Sequence, residues 1–220
     1  MSITEKEVVD AQLHIGTLKS EAHPKTSKYW IDVVNGVTVI NPESIVNQLE
    51  VAKQKIQKAK AEGKEILVIS EKKMFADELE EMGTKLGFNF LNYKVPSGFL
   101  TNFDTLKKRI ESMNSMERFL ETDAYASLTK KEQLVYNRKL KRVFKIYKGV
   151  KGLTKKPDLV IVFDWMMMDN FVNELDKQKD VDTILICGTN FSRWWKEDSL
   201  IIANINSHKS VNYMLNAILS

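Results

Sequence analysis

A chain of 220 residues with 43% hydrophobic content can bury one good core and a second small one, and none of its apolar runs approaches the roughly 20 residues needed to span a bilayer. The N-terminus, MSITEKEVVD, is charged where a secretory signal would be apolar, and the single cysteine, Cys187, lies in the apolar run Thr183-Ile-Leu-Ile-Cys187; both suit a cytoplasmic, reducing setting. The net charge of +4 hides a segregation: eleven lysines and arginines but one acid, Glu132, fall between Leu128 and Lys156, so that segment carries about +10 and the remainder about −6. Charge gathered in this way either solvates a helix face or meets a polyanion, most commonly a phosphate backbone.

In chain order, Thr4 and Glu7 form a capping box for a short helix reaching about Leu13. Asn35-Gly36 is a turn pair suited to positive φ and precedes a strand over 37–40. Asn41 caps a helix with Pro42 at its first position, Ile45, Leu49, Ala52, Ile56 and Ala59 on its apolar face, and Gly63 as its stop. The continuous apolar run 66–69 is a strand of the kind covered by helices on both faces, Ser70 caps the helix that follows through Met82, and 88–91 is a third strand. Phe103, Leu106, Ile110, Met113 and Leu120 recur at helical spacing. After the polar stretch 122–127, Thr129 and Glu132 open a second helix with Tyr136, Leu140, Val143, Phe144 and Tyr147 on its apolar face. Two such helices fold back as an antiparallel hairpin, with Arg138, Arg142 and Lys145 on a face turned away from the apolar stripe.

Strands over 159–163 and 183–187, a helix through Phe171, Val172 and Leu175, a short extended piece within 200–205 and a terminal helix carrying Val211, Met214, Leu215 and Ile218 complete the chain. The β-α-β alternation predicts an α/β fold: a doubly wound parallel sheet of about five strands, built from residues 1–102 and 152–220, with the helical hairpin inserted over 103–151.

Motifs of catalysis are absent: no G-x-G-x-x-G, Walker loop, G-x-S-x-G or H-E-x-x-H occurs, and Cys187 has no second cysteine for a zinc site. His14, His23 and His208 are scattered, and His14, near the end of an amphipathic helix, reads as packing or capping. Asp164 and Asp169 flank the C-terminal end of a strand, where doubly wound sheets hold ligands. They suit a metal or the cap of the 166–169 helix, and capping is favoured. Three loops carry binding chemistry: His23-Pro24-Lys25, the run from Lys94 to Asn102, and Phe191-Ser-Arg193-Trp194-Trp195-Lys196, whose aromatics beside cations suit base stacking, a protein interface or simple cover for the sheet edge.

The order of these pieces resembles the bacterial-type ribosomal small-subunit protein 2 family. The matching signatures are His23-Pro-Lys25 with Tyr29, Asn35-Gly36 leading into Val37 to Ile40, Gly98-Phe-Leu-Thr-Asn102, Leu128-Thr-Lys-Lys-Glu132, Pro157-Asp158 and Thr189-Asn190, collinear from about residue 8 onward. This chain departs from the family pattern at Lys94-Val95 (usually Arg-Trp), Ser97-Gly98 (Gly-Gly), Val34 (Arg), Thr38 (His), Gly188 (Asp) and His208-Lys209 (an acidic pair). Trp165 and three methionines follow Asp164 in place of a short Asp-rich sequence, and the Trp194-Trp195 loop has no counterpart.

The resemblance implies a flavodoxin-like sheet with a protruding coiled-coil hairpin, and a ribosome-bound structural protein rather than an enzyme. No catalytic residue, metal, cofactor, membrane or small-molecule substrate is expected. Its partners would be small-subunit ribosomal RNA, neighbouring ribosomal proteins and, as in many bacteria, ribosomal protein 1 of that subunit, in the cytoplasm or on an organelle ribosome. The residues expected to touch RNA are His23, Lys25, Lys94, Thr101, Asn102, Lys130, Lys131, Arg138, Lys139, Arg142, Lys145 and Lys148, with Arg193, Trp194 and Trp195 as a candidate interface. The opposing expectation is a doubly wound enzyme or ligand-binding protein with its site at the strand C-termini around Ser70, Asp164 and Gly188.

Overall fold

The computed structural model describes residues 3–219. Thr4 and Glu7 exchange side-chain and backbone hydrogen bonds at the start of α1 (Glu5–Asp10), as the capping box predicts. The helix ends short of Leu13 because Gln12 turns into the left-handed region at φ 61, which leaves His14 outside it. β1 (Ile15–Leu18), β2 (Trp30–Val34) and β3 (Val37–Ile40) then form a small antiparallel sheet in the order β1-β3-β2.

The strand expected over 37–40 therefore does not belong to the parallel sheet. Asn35 at φ 50 and Gly36 at φ 79 make a two-residue turn that opposes Val34 to Val37, and so short a connection permits only antiparallel pairing. β1 and β2 escape sequence reading because both are largely exposed and lack a clean apolar alternation.

The central sheet contains β4 (Ile66–Ser70), β5 (Asn89–Leu91), β6 (Leu159–Phe163), β7 (Asp182–Cys187) and β8 (Leu200–Ile202), all parallel, in the order β5-β4-β6-β7-β8. The short extended piece expected within 200–205 supplies the fifth strand in place of 37–40. Counted along the chain the order is 2-1-3-4-5, a doubly wound arrangement whose winding reverses between β4 and β6. Every residue of β4, β6 and β8 is buried, as sheets covered on both faces require.

α2 (Pro42–Ala61) starts at the Asn41 cap, where the side chain accepts from the Glu43 N–H, and buries Ile45, Leu49, Ala52, Ile56 and Ala59. Both α1 and α8 (His208–Leu219) pack on it. Ser70 does not cap a helix. It closes β4, its hydroxyl accepts from the Lys72 N–H at 3.4 Å, and a 3-10 turn burying Phe75 intervenes before α3 (Ala76–Leu86). Residues 166–168 likewise form a 3-10 turn, and α7 runs from Asp169 to Lys177.

Between β5 and β6 lie α4 (Phe103–Phe119), a short α5 (Asp123–Ala126) within the polar stretch 122–127, and α6 (Lys130–Tyr147). The Thr129–Glu132 capping box is formed. Met116 O accepts from the Tyr136 hydroxyl at 2.9 Å, and Asn114 Nδ2 donates to Lys151 O at 3.3 Å, so partners fall along one helix as they rise along the other and the two run antiparallel. Phe119, Tyr125 and Tyr136 bring their rings together at the far end.

At the near end Tyr147, Val150 and Leu153 are buried, Lys148 pairs with Glu80, and the backbone passes so close to β5 that a Cβ on Gly149 would lie 2.2 Å from Phe90 O. Backbone cannot yield as a flexible side chain can. Gly149→Ala should therefore cost about 2–3 kcal/mol through overpacking, measured by urea denaturation. A loss within about 0.5 kcal/mol, the usual range for surface changes, would show that the hairpin base is loosely held.

Candidate nucleic-acid interface

α6 carries the charge segregation seen in the sequence. Lys130, Lys131, Arg138, Lys139, Lys141 and Arg142 are exposed, and among the described residues none has a carboxylate within ion-pair distance. At about 100° per residue Lys131, Arg138, Arg142 and Lys145 fall within about 60° of one another, opposite Leu140 and Tyr147, on a helix about 27 Å long. The arm's single acid is occupied elsewhere. The Thr129 hydroxyl and backbone N–H hold the Glu132 carboxyl below its ordinary range, so it stays ionised at the helix N-terminus, where the dipole favours it.

The proximal end of this row meets the body. Lys145 Nζ lies 3.9 Å from the Tyr93 ring centroid, while Lys148 is committed to Glu80. Tyr93 opens the loop that carries Lys94, Thr101 and Asn102, all exposed. Two carboxylates shape that loop. Glu71 accepts from the Val95 N–H at 2.8 Å, and Glu174 on α7 accepts from the Gly98 and Leu100 N–H groups at 2.6 and 3.2 Å. Gly98 takes φ 78, and Asn102 Oδ1 accepts from the Thr105 hydroxyl at 2.7 Å. Sequence reasoning misses Glu71 and Glu174, since an acid within or beside a helical pattern carries no sign of a long-range partner.

His23 and Lys25 lie against a different part of the body. His23 Nδ1 accepts from the Lys25 N–H, Lys25 Nζ donates to Ser192 O at 2.9 Å, and the buried Thr26 hydroxyl reaches both His23 O and Thr189 O. Arg193 pairs with Asp169, donates to Asn173 Oδ1 at 2.8 Å and lies over the Trp165 ring. The neighbouring indoles part company: Trp195 is partly buried against the core, and Trp194 is 85% exposed. The structure thus joins the hairpin to the Lys94 loop, and His23-Lys25 to the Arg193 loop. α7 connects the two groups, since it holds both loops through Glu174, Asp169 and Asn173.

The crevice beyond the strand C-termini is occupied by the protein itself. Lys72, just after β4, places Nζ 3.1 Å from Asp164 Oδ2, 2.9 Å from Ile205 O and 2.8 Å from Asn206 Oδ1. Asp164, only 7% exposed and at φ 67, accepts the Met166 N–H on its other oxygen, but the cap position of the 166–168 turn is Trp165 and that of α7 is Met168, so neither acid occupies the cap position that the sequence favoured. Asp169 turns to Arg193, so the two acids do not converge. Among the described residues no group of three His, Cys, Asp or Glu is placed to hold a metal, and no helix is long and apolar enough to cross a membrane. Gly188 and Cys187 are buried. Burial, with the Asp164 charge adding to it, pushes the Cys187 thiol well above its ordinary range despite a hydrogen bond from the Trp165 backbone.

Fold and surface define an α/β protein with a buried ion pair at its sheet-end crevice and a row of exposed cations on one helix. The chain belongs to the ribosomal protein S2 family, whose model, described as Ribosomal protein S2, matches residues 8–220. It is 30% identical over 177 residues to the small ribosomal subunit protein uS2 of Fusobacterium nucleatum, covering 78% of this chain and 70% of that protein. The uS2 protein of Rippkaea orientalis is 30% identical over 171 residues, 78% of this chain, and the chain spans 64% of that relative's length.

If Lys72 and Asp164 form the internal plug described, Lys72→Met should leave a buried carboxylate without its cation. The loss should be about 3 kcal/mol in chemical denaturation, at the low end for a broken buried pair because the Met166 N–H remains. A loss below about 1 kcal/mol would mean that water already reaches Asp164 and that the crevice is open.

Proposed function

We propose that this chain is a structural constituent of the small ribosomal subunit that binds the subunit's RNA through the outer face of α6. The observation that carries this is the row of exposed cations with no acidic partner among the described residues, standing on an anchored helix, while the chain outside 128–156 sums to about −6. A polyanion approaching such a molecule is drawn to the arm and repelled elsewhere. Each phosphate that meets Lys131, Arg138, Arg142 or Lys145 releases condensed counterions, and the rigid helix sets the spacing of those contacts along an RNA groove.

In this reading the body (1–102 and 152–220) is a flavodoxin-like domain, and residues 103–151 form an inserted coiled-coil hairpin. Lys130 at one end and Lys94, Thr101 and Asn102 at the other extend the contact surface, and Lys139 flanks it midway. Lys25 and Lys148 already donate, and His23 Nδ1 already accepts, within the protein, so RNA contact there competes with existing bonds. Membership of the same family as two small-subunit uS2 proteins supports the assignment, as does the Lys72–Asp164 ion pair set where a doubly wound enzyme usually keeps its ligand. The remaining partners are neighbouring small-subunit proteins, among them ribosomal protein 1, on the ribosome of a bacterial cytoplasm or an organelle.

Replacing Arg138, Arg142 and Lys145 together with Gln should leave the melting transition of the body intact, because all three side chains are exposed. Affinity for small-subunit RNA should fall, and the slope of log affinity against log salt should flatten by roughly 2–3 units, at about 0.7–0.9 per lost phosphate contact. An unchanged slope in filter binding would mean that this face is merely solvated.

A further inference from the structure

We propose that Trp194 is a stacking platform for an unpaired nucleotide of single-stranded RNA, with Lys179 and Lys196 taking the flanking phosphates. The proposal rests on the RNA-binding reading above and assigns it a second, separate contact.

Its starting point is the opposite fate of two adjacent indoles. Trp195 packs against the core, and Trp194 keeps 85% of its surface in water. Looseness of the loop does not explain this, because the loop is tied on both sides. Ser192 O accepts from Lys25, Arg193 is held by Asp169, Asn173 and the Trp165 ring, and the chain beyond enters a 3-10 turn whose Ser199 is buried. The backbone that carries Trp194 is thus held in place, which removes part of the ordering cost that a flexible loop meets on binding.

Beside it lies a surface hollow of about 790 Å³ walled by Leu175, Val181 and Trp195, within the usual range of ligand sites. Charge selects the occupant. Three of the hollow's carboxylates are paired with lysines: Asp182 with Lys64, Glu197 with Lys28 and Asp198 with Lys55. Of the remaining charged groups lining it, Lys179 and Lys196 have no ion-pair partner among the described residues, against the single unpaired carboxylate of Asp176.

An aromatic face beside two unpaired ammonium groups matches a nucleotide, base on indole and phosphate on lysine. A purely apolar protein plug would leave both lysines unanswered. A regular duplex hides its base faces within the stack, so the matching RNA is a loop, bulge or single strand.

The test uses the full chain and two probes of equal phosphate number: a short single-stranded RNA without self-complementarity, and a blunt RNA duplex. The single strand should quench tryptophan fluorescence. Trp194→Ala should bind it roughly tenfold more weakly while binding the duplex as the unaltered chain does, with the same salt slope, and Trp194→Phe should retain most of the affinity. Both variants should melt with the unaltered protein, since the ring is exposed.

Loss of single-strand binding in Trp194→Ala would sustain the proposal even if the triple Gln variant on α6 bound duplex normally; in that case the hairpin reading alone fails. Equal single-strand affinity for Trp194→Ala and the unaltered chain overturns the proposal. So does a Trp194→Ala protein that binds both RNAs normally but no longer enters small subunits, since its partner would then be a protein.

Discussion

The close passage of Gly149 by the Phe90 carbonyl ties the end of α6 to β5, because no side chain fits between them. A helix bearing this many like charges within a few turns repels itself, and isolated in water it would be weakened by its own cations. Here the repulsion is offset at both ends. The Thr129–Glu132 box fixes the start of α6, and Tyr147, Val150 and Leu153 are sunk into the body at its finish, with Lys148 neutralised by Glu80. Among the described residues the cations in between have no acidic partner, which leaves their charge available to something outside.

The body contributes by setting an internal ion pair at the end of its sheet. Lys72 and Asp164 meet where the winding of the sheet reverses, so the position at which doubly wound proteins usually hold a ligand is filled by an ion pair. The left-handed backbone at Asp164 is a local strain of the kind often kept for catalysis, but here it aims a carboxylate at Lys72 and at the Met166 N–H. α7 works in the same spirit. Its Asp169, Asn173 and Glu174 hold two loops in place, and each loop then offers an exposed group: Lys94, Thr101 and Asn102 on one, Trp194 on the other. Internal polar bonds position the groups that are left unpaired.

Much of this was legible in the residues. The apolar runs that became β4, β6 and β7 could be read because helices cover both faces, and the caps at Thr4, Asn41 and Thr129 act locally through hydrogen bonds within three residues. The segregated charge marks α6 as the element that carries a row of exposed cations. What failed depended on distant partners. The strand over 37–40 looked like its neighbours in composition, but the Asn35-Gly36 turn bound it to β2. Ser70 had the composition of a cap and the position of a strand end, because Phe75 needed a buried turn before α3 could begin. The roles of Glu71 and Glu174 lie 24 and about 75 residues from the amides they accept. Nor could adjacency in sequence show that Trp194 and Trp195 would face opposite environments. The tether of Arg193 to α7 accompanies that division.

The central claim is that the arm's unpaired cations hold this protein on small-subunit RNA. Sedimentation of the full chain with small ribosomal subunits lacking their own copy, over a series of salt concentrations, tests it most directly. The account predicts that the protein travels with the subunit at low salt and is released progressively as salt rises, in a near-linear log–log relation. A chain that stays at the top of the gradient at every salt concentration, or that binds with no dependence on salt, would contradict it.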